Sequence, residues 1–146
     1  MAGFSILKDI NDSPAKKVPI SAITVTTGDL LELVIDAVVW TAATGTSAHF
    51  NRKAIALEDA TTSGTFVLVQ ELTGTETVEV DCTSAQASAA DNGQLMILTD
   101  KATVSNTGTN VTNGYVAFIQ DGVGRSTSHI VGRVLVGNGV NPDATT

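Results

Sequence analysis

One cysteine, Cys82, stands in the whole chain. An internal disulfide is therefore excluded, and with it the disulfide-stapled secreted domains. Cys82 closes an alternating apolar stretch and reads as a small buried hydrophobe, not as a reactive thiol. Aromatic residues make up only 4% and charged residues 16%, against roughly 25% charged in an average soluble domain. A core with so few rings has to be built from small aliphatic side chains. Basic residues are scarcer than acidic ones, 8 against 15, for a formal net charge of −7. That balance excludes non-specific nucleic-acid binding, which needs clustered Lys and Arg against phosphates. It fits an exposed, acidic surface. No apolar run approaches the ~20 residues of a membrane span, so no membrane partner is expected, and no apolar stretch near the N-terminus reads as a signal peptide. Asn11-Asp12-Ser13 and Asn110-Val111-Thr112 match the glycosylation pattern; without a secretion signal both read as chance.

Chemical motifs are missing as well. His49 and His129 have no Cys, His or Asp at ligand spacing, so no metal site is expected. There is no P-loop, no His-Glu-x-x-His and no Gly-x-Ser-x-Gly elbow. Gly122-Val123-Gly124 lacks the third glycine and the following helix of a dinucleotide fingerprint. Ser126 and Ser128 lie near His129, but neighbours in sequence are not a triad. The expectation is a chain with no catalytic residue, no cofactor and no enzymatic activity.

What the chain has in quantity is Thr, Ala, Val and Gly. Thr and Val are β-branched and favour strands, while Gly, Asn and Asp punctuate them. At 146 residues and 15.0 kDa, the length suits one domain with a real core. The fold class expected is all-β: a small antiparallel β-sandwich or barrel with an extended N-terminal arm. The division expected is an arm over 1–19, a β domain over 20–137 and a polar tail over 138–146.

Along the chain, residues 1–19 combine Phe4, Ile6, Leu7 and Ile10 with Lys8, Lys16 and Lys17, and are broken by Pro14 and Pro19. They read either as a loose terminus or as a basic arm reaching a neighbouring acidic surface. Strands are expected over 20–27, over 30–34 and on through Val38 and Val39 to Trp40, and over 54–57, 65–70, 77–82, 94–99 and 103–104. Trp40, the single Trp, is either a core aromatic or an interface anchor. In 77–82, Val78, Val80 and Cys82 alternate with Thr77, Glu79 and Asp81, whose acidic face is expected in water. Residues 83–91 read as a short helix or a loop, and 105–113 as a surface loop. A weak echo pairs Gly28-Asp29-Leu30-Leu31-Glu32-Leu33 with Gly93-Gln94-Leu95-Met96-Ile97-Leu98. It then aligns Ala37 and Val39 with Ala102 and Val104, and Leu57-Glu58-Asp59 with Ile119-Gln120-Asp121. Two similar β units are one reading of it.

The strongest pattern is the hairpin over 114–137. Its first strand is expected at 115–120, a turn at Asp121-Gly122, and its second strand at 129–136. Both faces are apolar, which places it in the middle of a sheet or between a core and a partner. Ile130, Val134 and Val136 share one face; Val131, Arg133 and Leu135 share the other. Arg133 in apolar company calls for a carboxylate, and an ion pair between subunits would supply one.

The Gly-Tyr-Val-Ala-Phe-Ile-Gln-Asp-Gly-Val-Gly stretch, followed by His-Ile-Val-Gly-Arg-Val-Leu-Val-Gly, resembles the end of small structural proteins of tailed bacteriophages, of the capsid decoration or cement type. Thr26-Thr27-Gly28-Asp29-Leu30-Leu31-Glu32-Leu33-Val34 and Ala54-Ile55-Ala56-Leu57-Glu58-Asp59-Ala60 are similar in style. The resemblance implies a β-sandwich or barrel, usually a homotrimer, on the outer surface of the virion capsid. There it would stabilise the shell by bridging major capsid protein subunits. On that reading Phe4, Ile6, Leu7, Lys8, Lys16 and Lys17 contact the shell, and Trp40, Val131, Arg133 and Leu135 lie between subunits. A tail-tube or fibre-associated β domain and a carbohydrate-binding β-sandwich are the alternatives.

Overall fold

The computed structural model describes residues 3–9, 13–34, 36–82, 92–105, 117–126 and 128–137. The expectations for 83–91, for most of 105–113, for Tyr115 and Val116 and for the tail over 138–146 lie outside the described residues. The fold is all-β, with no helix among the described residues. The described residues form twelve strands: β1 Ser5–Lys8, β2 Lys16–Pro19, β3 Leu30–Leu33, β4 Thr41–Ala42, β5 Arg52–Ala56, β6 Phe66–Glu71, β7 Thr77–Cys82, β8 Leu95–Met96, β9 Leu98–Asp100, β10 Thr103–Val104, β11 Phe118–Val123 and β12 His129–Val134. One sheet runs β2-β6-β5-β3-β4; the other runs β8-β11-β12-β7-β10-β9, with β1 also pairing with β7.

The two sheets repeat one plan. Each contains four antiparallel strands in which the second, third and fourth lie side by side and the first returns beside the fourth. These are β3-β5-β6-β2 and β8-β11-β12-β7, a Greek-key order. The registers correspond residue by residue. Leu30 pairs with Ile55 and Ile55 with Gln70; Leu95 pairs with Ile119 and Ile119 with Arg133. Lys17 pairs with Leu68, as Glu79 pairs with Val131. Gly28 and Gly93, one step before β3 and β8, both take positive φ, 97° and 88°. The echo therefore marks a real structural repeat. Its last segment needs correcting by two residues, since Ile55 and not Leu57 occupies the place of Ile119. Val39 and Val104 do not correspond: Val104 is buried in β10 and Val39 is exposed outside any strand.

Each half has its own interior. Val18, Leu31, Ala54, Val67 and Val69 fill the first with Trp40, Ile20 and Val25. Val78, Val80, Met96, Phe118, Ile130 and Val134 fill the second. The halves differ on their opposite faces. Leu30 and Ile55, on the outer face of the first sheet, are buried in the second core. Their counterparts Leu95 and Ile119 face away from it. So β3 and β5 are covered on both sides, while among the described residues β8 and β11 are fully covered on one only.

Several expected boundaries move. Residues 20–27 form no strand; they make only isolated bridges, Ile20 to Trp40 and Val25 to Ala60. The run after β3 turns at once, with Ala37 N–H donating to Val34 O at 2.9 Å and Asp36 at φ 64°. Val38, expected in a strand, is 83% exposed. The 94–99 stretch divides into β8 and β9. In the hairpin, β11 does not turn at Asp121-Gly122. It passes through a bulge there and continues to Val123, because one extra residue in a strand bends the ladder without ending it. The hairpin does occupy the middle of its sheet. At its centre Gly132 lies so close to β11 that an added Cβ would be 1.9 Å from Ile119 O.

The N-terminal stretch is the largest correction. Its described residues are not an arm; they give one strand to each sheet, β1 to β7 and β2 to β6. Phe4 is 2% exposed and meets Phe118 edge to face, ring centres 6.5 Å apart. Phe4 N–H donates to Gly28 O at 2.8 Å. A sequence this poor in aromatic rings keeps one of its four phenylalanines here because the second interior needs its volume. Phe4→Ala is expected to lower unfolding stability by ~3 kcal/mol, the usual cost of emptying a buried ring site. Urea denaturation measures it, and a change below ~0.5 kcal/mol would mean that the terminus does not close the core.

Candidate functional site

The residues expected to carry binding fall into two groups. Of the N-terminal set, Phe4 is in the core and Ile6 packs half-buried against it. Leu7 and Lys8 stay exposed on β1. Lys16 pairs with Glu71 and Lys17 with Glu58, at 2.6 Å for the second. Glu71 also takes a two-pronged contact from Arg52, Nε to Oε2 at 2.8 Å and Nη2 to Oε1 at 2.9 Å. That contact holds Glu71 below the usual carboxylate range. The Lys17 ammonium and the Leu68 N–H do the same for Glu58. The charges of Lys16 and Lys17 are thus met inside the chain.

Of the interface set, Trp40 is 3% exposed in the first core, with the Arg52 guanidinium 5.6 Å above its ring centre. It is the core aromatic and not a surface anchor. Arg133 finds its carboxylate across its own hairpin, Nε to Asp121 Oδ2 at 3.0 Å. Both side chains are about half exposed, so an intersubunit partner is not required. Val131 and Leu135 are half-buried on the same outer face. The structure adds Leu95 and Ile119, placed beside Arg133 by the register. The result is an apolar strip, Leu95, Ile119, Val131 and Leu135, crossed by one ion pair.

The acidic face of β7 is not in open water. Glu79 is 8% exposed and takes Arg125, Nε to Oε1 at 3.1 Å, together with the Arg125 N–H. Asp81 Oδ1 lies 2.8 Å from His129 Nε2, its partner in register. Ser126 Oγ meets the other nitrogen, Nδ1, at 2.5 Å. So tertiary structure sets a carboxylate beside a serine and a histidine that already sit in one turn. These contacts fasten the β11–β12 turn onto β7. Ser126 Oγ also accepts the Ser128 N–H, and His129 N–H donates to Ser126 O, which is how a hydroxyl stabilises a tight turn.

A second region was not singled out in the sequence. Glu32 on β3 and Lys53 on β5 are cross-strand partners, 5% and 0% exposed. Lys53 Nζ donates to Leu135 O at 2.8 Å, Ala48 O at 3.1 Å, His49 O at 3.2 Å and Asn51 O at 3.4 Å. Glu32 accepts from Ser47 Oγ and from Asn51 Nδ2, the latter at 2.8 Å. Burial pushes Lys53 down to about 8 while the charge of Glu32 pulls the other way. Burial raises Glu32, opposed by Asn51, Lys53 and the Thr44 backbone. A sequence signal existed for Glu32, a charge inside the apolar run Leu30–Val34; Lys53 gave none, since it follows Asn51-Arg52 at the head of its strand. Only the register shows that the two face each other. Above the pair lies a recess of about 440 Å³, lined by Glu32, Val34, Thr41, Ala42, Thr44, Thr46, Ser47, Ala48, Phe50 and Asn51.

Among the described residues no group of three or more His, Cys, Asp or Glu could hold a metal ion, and no helix is long and apolar enough to cross a membrane. Burial raises the Cys82 thiol, which keeps it protonated and inert at neutral pH. The chain matches no family model, no curated protein and no solved structure.

The buried pair yields a pH signature. Lys53 releases its proton more readily when folded, at about 8, than at its ordinary 10.5. Between those values the unfolded chain binds more protons, so the contribution of Lys53 to stability rises with pH. Stability of the natural chain relative to Lys53→Met is expected to grow by roughly 2–3 kcal/mol from pH 8 to 10.5. Parallel chemical denaturation curves across that range measure it. A constant difference would show that burial does not perturb Lys53.

Proposed function

We propose that this protein is a non-enzymatic structural component of a tailed-phage virion, a decoration protein that binds the outer capsid surface and bridges major capsid protein subunits. The observation that carries the reading is the apolar strip on the second sheet. Its counterpart in the first half, Leu30 and Ile55, is buried against another β unit. The same strand plan therefore makes a contact surface of this strip: among the described residues Leu95 is 37% exposed and Ile119 only half-buried. A second copy of the chain is the occupant, in keeping with a homotrimer.

The charge distribution supports the reading. Every basic side chain except Lys8 has a carboxylate or carbonyl partner within the chain. Little positive charge is left to hold a polyanion such as nucleic acid. Shell contact then falls to the exposed Leu7 and Lys8 of β1, what remains outside of the stretch read as an arm. Bridging requires only burial and shape complementarity, which a small rigid β domain supplies without activated groups.

Sedimentation of the purified chain is expected to show a trimer. Ile119→Asp with Val131→Asp is expected to weaken self-association by roughly 100-fold or more, since two carboxylates would be buried unpaired. The thermal midpoint of the isolated chain is expected to fall less than for Phe4→Ala, because both side chains are only half-buried within one chain. A natural chain that sediments as a monomer at all concentrations would sink the self-association. Cosedimentation with emptied heads of a phage that encodes the chain tests the shell contact; labelled protein found on tails instead would replace the head assignment.

A further inference from the structure

We propose that the recess above Glu32 and Lys53 is a binding site for a neutral, hydroxyl-rich ligand the size of one or two sugar rings. This inference does not rest on the assembly reading.

Its floor and walls are chemically specific. Glu32 supplies a carboxylate that is 5% exposed and held by Ser47 and Asn51. Asn51 is 4% exposed and lines the recess; its Nδ2 is spent on Glu32, and its buried Oδ1 has no hydrogen-bond partner. An orphaned amide oxygen in such a place is costly unless a donor reaches it. Thr41, Thr44 and Thr46 put three hydroxyls on the walls; those of Thr44 and Thr46 bond each other at 3.1 Å and Thr44 Oγ1 accepts the Thr46 N–H, so that pair keeps one hydroxyl hydrogen and open lone pairs for a ligand. Phe50 adds one ring beside the apolar methyls of Val34, Ala42 and Ala48. Acceptors, two-way hydroxyls and one aromatic face match a pyranose, which carries hydroxyls around its edge and C–H bonds on its faces.

Charge decides against a cation. Glu32 is paired in register with Lys53, whose ammonium is fully buried beneath the recess. The pair sums to zero, so a metal ion or an amine would gain the carboxylate and meet the ammonium. A neutral donor meets no such opposition. The volume, about 440 Å³, lies within the ~300–1,000 Å³ of small-ligand clefts.

The test is NMR titration of the isotope-labelled full chain with four probes: the methyl glycosides of glucose, galactose, mannose and N-acetylglucosamine. At least one is expected to give saturable shifts confined to the amides of Glu32, Thr44, Thr46, Ser47 and Asn51, at ~mM affinity. Thr44→Val with Thr46→Val replaces two exposed hydroxyls that bond each other and is expected to weaken that binding by ~10-fold while the amide spectrum away from residues 41–51 stays that of the natural chain. No saturable shift with any of the four would overturn the proposal. So would the same shifts on adding methylammonium chloride, which would mark a cation site, or undiminished binding by the double variant.

Discussion

The ammonium of Lys53 holds the two halves of this protein in one arrangement. It is fully buried, and four main-chain carbonyls surround it, three from residues 48–51 and one from Leu135 at the end of β12. A buried charge without partners would cost several kcal/mol, so each carbonyl has to stay where it is. The loop before β5 belongs to the first half and Leu135 to the second; one side chain therefore sets their spacing. The next turn of chain tightens the same seam. Gly137 N–H donates to Asn51 O at 3.2 Å, and a Cβ on Gly137 would stand 2.2 Å from Phe50 O.

With that spacing set, the first half uses its outer face to complete the second. Leu30 and Ile55 enter the second interior, which Phe4 fills from another side. An arrangement of this kind breaks the equivalence of two similar units. The first unit is closed over by Trp40, Val25 and Ile20 and spends its outer face within the chain. The second has an outer face of the same register that the described residues leave half-buried to exposed. Assembly through that face and ligand binding at the recess are thus different consequences of one asymmetric packing. Ion pairs do little of this work. Two of them, Lys17–Glu58 and Arg133–Asp121, join exposed side chains, where each contributes at most ~1 kcal/mol, and the pairs together leave the surface with its net acidic charge.

The all-β class, the central hairpin and the repeat were legible because they depend on local pattern. Val78, Val80 and Cys82 alternate with polar residues over all six positions of β7, and Gly28 and Gly93 stand at the same step before a strand. Such signals come from side-chain period and from backbone conformations that few residues adopt. The N-terminal stretch misled for a physical reason. Short strands broken by proline resemble a loose arm until their partners, β6 and β7, are placed beside them. Arg133 finds its carboxylate on its own hairpin because the bulge carries β11 on through Asp121 instead of ending it there, which no local turn signal reveals. The recess was hidden for a similar reason: Glu32, Ser47 and Asn51 are spread over twenty residues of sequence and share no spacing rule.

By itself the sequence determined that the chain is β, that its core is mostly aliphatic, and that its C-terminal hairpin, β11 and β12, lies in the middle of a sheet. These follow from composition and period, which act over a few residues. Tertiary structure alone decided which faces are left uncovered. Leu30 and Leu95 begin matched strands in matched registers, yet one is fully buried and the other exposed. What separates them is the packing of one half on the other across the Lys53 seam, and no local pattern encodes a contact between surfaces that the chain brings together only when it closes.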